Sequence, residues 1–139
     1  MHAPRLCAPA LVLCFLSASA AAQEWPRFRG PDGGGIGEAN IAPKWDAAAI
    51  LWKADLPGVG HASAVVWGDR VFTKCGDEST GAQTLVCMSA RDGAPLWKRD
   101  FTAEAYRHHG ENSYGSSTPA ADADRVYACL MQPSELRVV

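Results

Sequence analysis

The chain carries no excess of charge of either sign. Thirteen Lys and Arg stand against fifteen Asp and Glu, a formal net charge of −2 over 139 residues. Without a basic excess there is no electrostatic footprint for nucleic acid, and no acidic tail is present. Long hydrophobic runs are also missing. The stretch from Leu6 to Leu16 is broken by Pro9 and is too short to cross a bilayer, so no transmembrane span is expected. No CxxC occurs and nothing has the spacing of zinc ligands, so no metal site is expected. Gly33-Gly34-Gly35-Ile36-Gly37 has no strand before it, no helix after it and no closing Lys-Ser/Thr, which removes a phosphate loop. Beyond residue 22 no helix of ordinary length is predicted.

The N-terminal segment is unlike the rest. Arg5 is its only charge, Leu6 to Leu16 is mostly apolar, and Ser17-Ala18-Ser19-Ala20-Ala21-Ala22 supplies small residues before Gln23. This reads as a secretory signal peptide over residues 1–22, cut between Ala22 and Gln23. Leu13, ahead of Cys14, is too large for lipid attachment at that cysteine, so ordinary cleavage and export to the periplasm or outside the cell are expected. Residues 23–49 form a lead-in whose Pro26, Pro31 and glycines exclude a helix. Its Trp25 and Phe28 are expected to dock onto the first strands after residue 49.

From residue 50 onward the chain repeats itself. Leu51-Trp52-Lys53-Ala54-Asp55-Leu56 matches Leu96-Trp97-Lys98-Arg99-Asp100-Phe101 at a spacing of 45. Gly68-Asp69-Arg70-Val71-Phe72 matches Ala123-Asp124-Arg125-Val126-Tyr127 at a spacing of 55. Strands are predicted over 50–55, 63–67, 70–75, 84–90 and 95–101, with Gly68-Asp69 and Asp92-Gly93 as tight turns. Residues 117–121 and 125–131 repeat the first hairpin. A period of about 40–50 residues, built of short strands with Gly and Trp at fixed places, is the signature of β-propeller blades of four antiparallel strands.

Export leaves three cysteines, Cys75, Cys87 and Cys129. Cys75 and Cys87 fall on strands predicted to pair, so they either form a bridge worth about 3 kcal/mol or remain two separate thiols. The ten extra residues of the longer spacing lie between Phe101 and Ser117. There His108, His109, Glu111, Asn112, Tyr106 and Tyr114 make the most polar and chemically varied stretch of the chain. Adjacent histidines chelate one metal poorly, and a long inter-strand loop bonding its own backbone accounts for the same residues. If the chain takes a ligand, the candidates are His108, His109, Asn112 and Tyr114 of this loop, with His61 at the equivalent place in the preceding copy.

Cys87-Met88-Ser89-Ala90-Arg91-Asp92-Gly93-Ala94-Pro95-Leu96-Trp97 resembles the strand–turn–strand of the pyrroloquinoline quinone (PQQ) repeat, roughly A-x-D-x-x-T-G-x-x-x-W. Gly93 and Trp97 match, while Asp92, Ser89 and Cys87 stand where Thr, Asp and Ala are usual. Trp25-Pro26-Arg27-Phe28-Arg29-Gly30-Pro31-Asp32-Gly33 and residues 109–119 extend the resemblance to the N-terminal part of exported PQQ-like β-propeller proteins, over residues 25–131.

The resemblance implies a parent of about seven or eight blades. At the observed spacing residues 50–139 supply about two to three incomplete blades, so the chain is expected to be the front of a longer propeller. Quinoprotein alcohol dehydrogenases of this kind hold PQQ and calcium on the propeller axis, beneath adjacent cysteines and beside a catalytic aspartate. None of those residues has a counterpart here. Other members carry no quinone and act as binding platforms. The expectation is therefore an exported binding or scaffold module without catalysis or cofactor, meeting protein partners through its loops. The alternative is the N-terminal part of a PQQ-dependent alcohol or sugar dehydrogenase.

Overall fold

Apolar alternation interrupted by Gly-Asp and Asp-Gly pairs folds into strands and turns and almost nothing else. The computed structural model describes residues 24–38 and 43–139, and holds eight short strands and a single 3-10 turn at Ala47–Ala49. The expected signal segment, residues 1–22, lies outside the described residues. Among those described, no helix is long and apolar enough to cross a membrane.

The first sheet is an antiparallel meander of β1 (Val65–Trp67), β2 (Arg70–Gly76), β3 (Gln83–Ser89) and β4 (Pro95–Phe101), in that order. Gly68-Asp69 closes the β1–β2 hairpin in two residues, with Trp67 opposite Arg70. The β3–β4 connection is longer than the predicted two-residue turn. Ser89 N–H donates to the Ala94 carbonyl across the four residues Ala90 to Gly93, and the ladder slips at Cys87/Met88. Gly93 takes a left-handed φ of +71° there.

The register distributes the apolar residues over both sides of the sheet. Val65, Phe72, Cys87 and Trp97 stand opposite one another on one side, here the front. Val71, Cys75, Val86 and Met88 form a buried cluster on the back. Each large side chain so buried contributes about 1.5–3 kcal/mol.

A second, smaller unit comes next. β5 (Ala120–Ala121) pairs with β6 (Val126–Tyr127), and β7 (Cys129–Met131) pairs with β8 (Leu136–Val138). Ala128 and Val139 exchange both backbone hydrogen bonds, at 3.0 and 3.1 Å, so β6 and β7 act as one strand between β5 and β8. Shifted by 55, the register of the first hairpin recurs: Val65↔Phe72 becomes Ala120↔Tyr127, and Val66↔Val71 becomes Ala121↔Val126. The second unit thus reproduces the first three strands of the sheet before it.

The two units stack head to tail. Ala121 and Val126, the counterparts of back-face Val66 and Val71, pack against Val65, Phe72 and Cys87 on the front of the first sheet. Trp25 joins the β1 edge, exchanging two 2.9 Å bonds with Val66, while the Pro26 carbonyl accepts from Ala121 N–H.

The expected all-β class holds: one complete four-stranded sheet is followed by a three-stranded unit, and no closed ring forms among the described residues. Other expectations are corrected. Residues 50–55, expected as a strand, join no ladder among the described residues. Trp52 instead lies over Gly93 and donates its indole N–H to the Ala90 carbonyl at 3.0 Å. Phe28 does not dock; it is 57% exposed, with the Arg29 guanidinium 5.3 Å from its ring. Cys75 and Cys87 are free. Cys75 stands opposite Thr84 and Cys87 opposite Phe72, so the two thiols point to opposite sides of the sheet and no bridge can span them.

The Trp52 seat yields a specific expectation. A Cβ on Gly93 would lie 2.5 Å from Trp52 Cε3, and the backbone there is left-handed. Gly93→Ala should cost about 2–4 kcal/mol, combining steric overlap with φ strain of roughly 1–2 kcal/mol. In a Trp52→Leu background the steric part should largely disappear. Urea unfolding of the four variants measures the coupling, and an additive cycle would refute the contact.

Candidate functional site

The polar candidates converge at one end of the first sheet, because three connections meet there. These are the approach to β1 through Val59 and His61, the β2–β3 loop over Asp77 to Ala82, and the long loop from Thr102 to Pro119. Close backbone approach makes the meeting possible. Val59 and Gly76 exchange hydrogen bonds at 2.9 and 2.8 Å, and the Gly115 carbonyl accepts from His61 and Ala62. A Cβ on Gly76 would lie 2.6 Å from Tyr114 Cβ, so only glycine admits this packing.

Within this end the loop residues contact one another. His61 Nδ1 lies 2.9 Å from Ser113 Oγ, and Ser113 is buried. Buried Tyr114 donates its hydroxyl to the Tyr106 carbonyl at 2.6 Å and accepts from Tyr106 N–H at 2.9 Å. Tyr106, His108 and Tyr114 meet edge to face, with His108 and Tyr114 centroids 4.7 Å apart. His108 Nε2 reaches Glu78 Oε2 at 3.1 Å, tying the long loop to the β2–β3 loop. Asn112 accepts from Ser113 N–H through Oδ1, and exposed His109 accepts from Glu111 N–H at 3.3 Å.

The five predicted residues are therefore neighbours in space, and the hydrogen bonds they make run among these converging segments. Among the described residues no three His, Cys, Asp or Glu side chains are grouped to hold a metal, and no buried side-chain N or O lacks a hydrogen-bond partner. A quinone with its calcium needs unengaged donors and acceptors around a cavity. Tyr114 and Ser113 are buried and already bonded, and His61 and His108 are engaged with Ser113 and Glu78, so this residue set does not fit that group.

A different polar cluster escapes a reading of the sequence. Lys74 lies on the front of β2 and is 1% exposed. Its ammonium donates to Gln83 Oε1 at 3.0 Å, to the Cys129 carbonyl at 2.6 Å and to Ser117 Oγ. Ser117 in turn donates to the Cys129 carbonyl, and Gln83 Nε2 donates to the Met131 carbonyl at 2.7 Å. All three ammonium donors are satisfied, and two of the acceptors belong to the second unit or the segment leading into it. Burial lowers the Lys74 pKa to about 8, partly opposed by nearby Cys129.

A serine beside a lysine of lowered pKa is the pairing used for nucleophilic catalysis. Here the Ser117 hydroxyl proton points to a carbonyl, and the lysine donates to three acceptors instead of accepting from the serine. The cluster is a clamp between two sheets. Burial also pushes the Cys75 and Cys87 thiols up from their ordinary range, which suits inert packing groups.

No protein-family model matches the chain, and neither the curated proteins nor the solved structures give a significant match.

The clamp sets a pH dependence. Below about pH 8 Lys74 is charged in both the folded and unfolded chain, and its burial cost is carried in full. Between about 8 and the ordinary lysine value of 10.5, the folded state has lost a proton that the unfolded state keeps. Stability contributed by this site therefore rises with pH across that window. Relative to Lys74→Met, the wild-type melting temperature should climb between pH 7.5 and 9. A constant difference between the two proteins would refute the assignment.

Proposed function

We propose that the chain is an exported PQQ-like β-propeller module that serves as a binding or scaffold surface and carries out no chemistry of its own. The observation that carries this reading is the structural repeat. The hairpin register at residues 65–72 recurs at 120–127, the second unit stacks on the first in one direction, and Trp52 seats on Gly93 where one repeat meets the next. Units that stack head to tail with a fixed Trp–Gly contact are what a propeller is built from. The signal-like segment at residues 1–22 supports export.

The use made of the polar groups speaks against catalysis. His61, His108 and Tyr114 hold loops together, and Lys74 and Ser117 hold sheets together. None of these groups is left poised against a cavity as nucleophile or base. Binding would then fall to the long loop from Thr102 to Pro119, rigidly mounted at its sheet end, with exposed His109, Glu111 and Asn112 available to a protein partner.

Titrating the purified chain with PQQ in the presence of calcium, followed by quinone absorbance, tests the reading. No spectral change at saturating quinone is expected, and no alcohol- or sugar-dependent reduction of a dye. A saturable shift with substrate-dependent dye reduction would replace the scaffold reading with a quinoprotein dehydrogenase.

A further inference from the structure

Among the described residues, one side-chain hydrogen bond ties the long loop from Thr102 to Pro119 to the β2–β3 loop. It joins His108 Nε2 to Glu78 Oε2 over 3.1 Å. The other ring nitrogen is engaged as well, since His108 Nδ1 lies 3.0 Å from the His109 carbonyl oxygen. A peptide carbonyl only accepts, and so does an ionised carboxylate. Both ring nitrogens therefore face acceptors. A neutral imidazole has one N–H and one lone pair, so it meets one acceptor and turns a lone pair toward the other. Only the doubly protonated ring completes both bonds.

The surroundings hold the ring to this arrangement and offer Glu78 no other cation. Tyr106 and Tyr114 pack edge to face against His108, with centroids at 6.2 and 4.7 Å. The Tyr114 hydroxyl is committed to the Tyr106 backbone. His109 turns its own Nδ1 to the Glu111 N–H. From the β2–β3 loop, Asp77 is occupied by Ser79 and Thr80. Among the described residues no Lys or Arg pairs with Glu78, so the His108 proton is what balances its carboxylate.

We propose that the second proton on His108 is a latch: while it is present the long loop is fastened to the β2–β3 loop through Glu78, and its loss releases that tie. Fastening needs an ionised Glu78 and a doubly protonated His108, a combination that ordinary groups supply between about pH 4.3 and 6.5. The tie is therefore made on the acidic side of neutrality and lost as pH rises. Buried Ser113 and Tyr114 keep the far end of the loop seated, so release concerns the part before them, residues 106–112. Exposed His109, Glu111 and Asn112 lie in that part. If they form the binding rim, acid pH fixes the rim and alkaline pH loosens it. This consequence rests on the scaffold reading, whereas the latch rests on the loop contacts alone.

Hydrogen exchange of the full chain, corrected for the intrinsic effect of pH, reads the release. The Tyr106 and Asn112 amides report on the part concerned, since they donate to Tyr114 Oη and to the His109 carbonyl, both at 2.9 Å. The pair is partly exposed, so solvent moderates its weight. Between about pH 5.5 and 7.5, protection of the two amides should fall about three- to fivefold. That range stays below the value of about 8 at which Lys74 loses its proton.

Glu78→Gln is the discriminating variant. Its amide can turn an N–H toward a neutral Nε2, so the tie no longer needs the second proton. Protection should then stay level or rise over the same range. His61 and His109 are untouched in this variant, so a fall caused by either of them would persist. Constant protection in the wild type overturns the latch, as does an equal fall in Glu78→Gln. Either of those results leaves the scaffold reading standing, because that reading rests on the Trp52–Gly93 contact and the recurring hairpin register.

Discussion

Everything beyond the first sheet depends on how the Lys74 ammonium is accommodated. It is buried between two sheets with no carboxylate beside it, and its three donors are met by Gln83, Ser117 and the Cys129 carbonyl. A buried ammonium that loses one acceptor costs several kcal/mol, so such a group contributes little net stability but tolerates few alternatives. The second unit can be seated only where Ser117 and the Cys129 carbonyl both reach Lys74 and where the Met131 carbonyl reaches Gln83. Apolar contact among Val65, Phe72, Cys87 and Ala121 supplies attraction between the sheets without fixing their relative position. The polar cluster fixes it.

That division of labour explains how much of the fold is legible in the sequence. The Gly68-Asp69 hairpin and the bounds of β4 come from local patterns, and the repeat at 55 residues is visible without its register. Local patterns also mislead where a strand needs a distant partner. Residues 50–55 have the composition of a strand, but pairing is a property of two segments, and no sheet edge receives them among the described residues. Lys74 shows the same limit. Its place in the alternation of β2 puts it on the packed side, but two of its three acceptors are 43 and 55 residues away, beyond the reach of a local pattern. The cysteine pair is decidable by parity. A β2–β3 loop over Asp77 to Ala82 sets Gly76 against Gln83, and three steps along β2 from Cys75 reverses the face.

The candidate site is legible as a place and not as a chemistry. His61, His108, Asn112 and Tyr114 do come together, since loops at one end of adjacent repeats must converge. The sequence carries no sign of Glu78, Ser113 or Tyr106 as the partners that occupy them, because those contacts depend on glycines at 76 and 115 bringing three backbones within touching distance. A polar loop rich in histidine invites a search for ligands. Its hydrogen bonds show a scaffold that has used its polarity internally, leaving a rigid rim of exposed side chains.

Satisfaction of the polar groups moves the question of function from the loop end to the sheets. A folded chain advertises a partner where it leaves something unmet, and here the unmet groups are apolar faces and backbone edges. Leu136 and Val138 stand in solvent on a sheet whose other face is closed against the first unit, and residues 53–57 line a groove over Val86 and Met88. The two surfaces differ from a generic sticky patch in one respect. Each is the counterpart of a surface that the same chain has already covered once, in the same order and the same register.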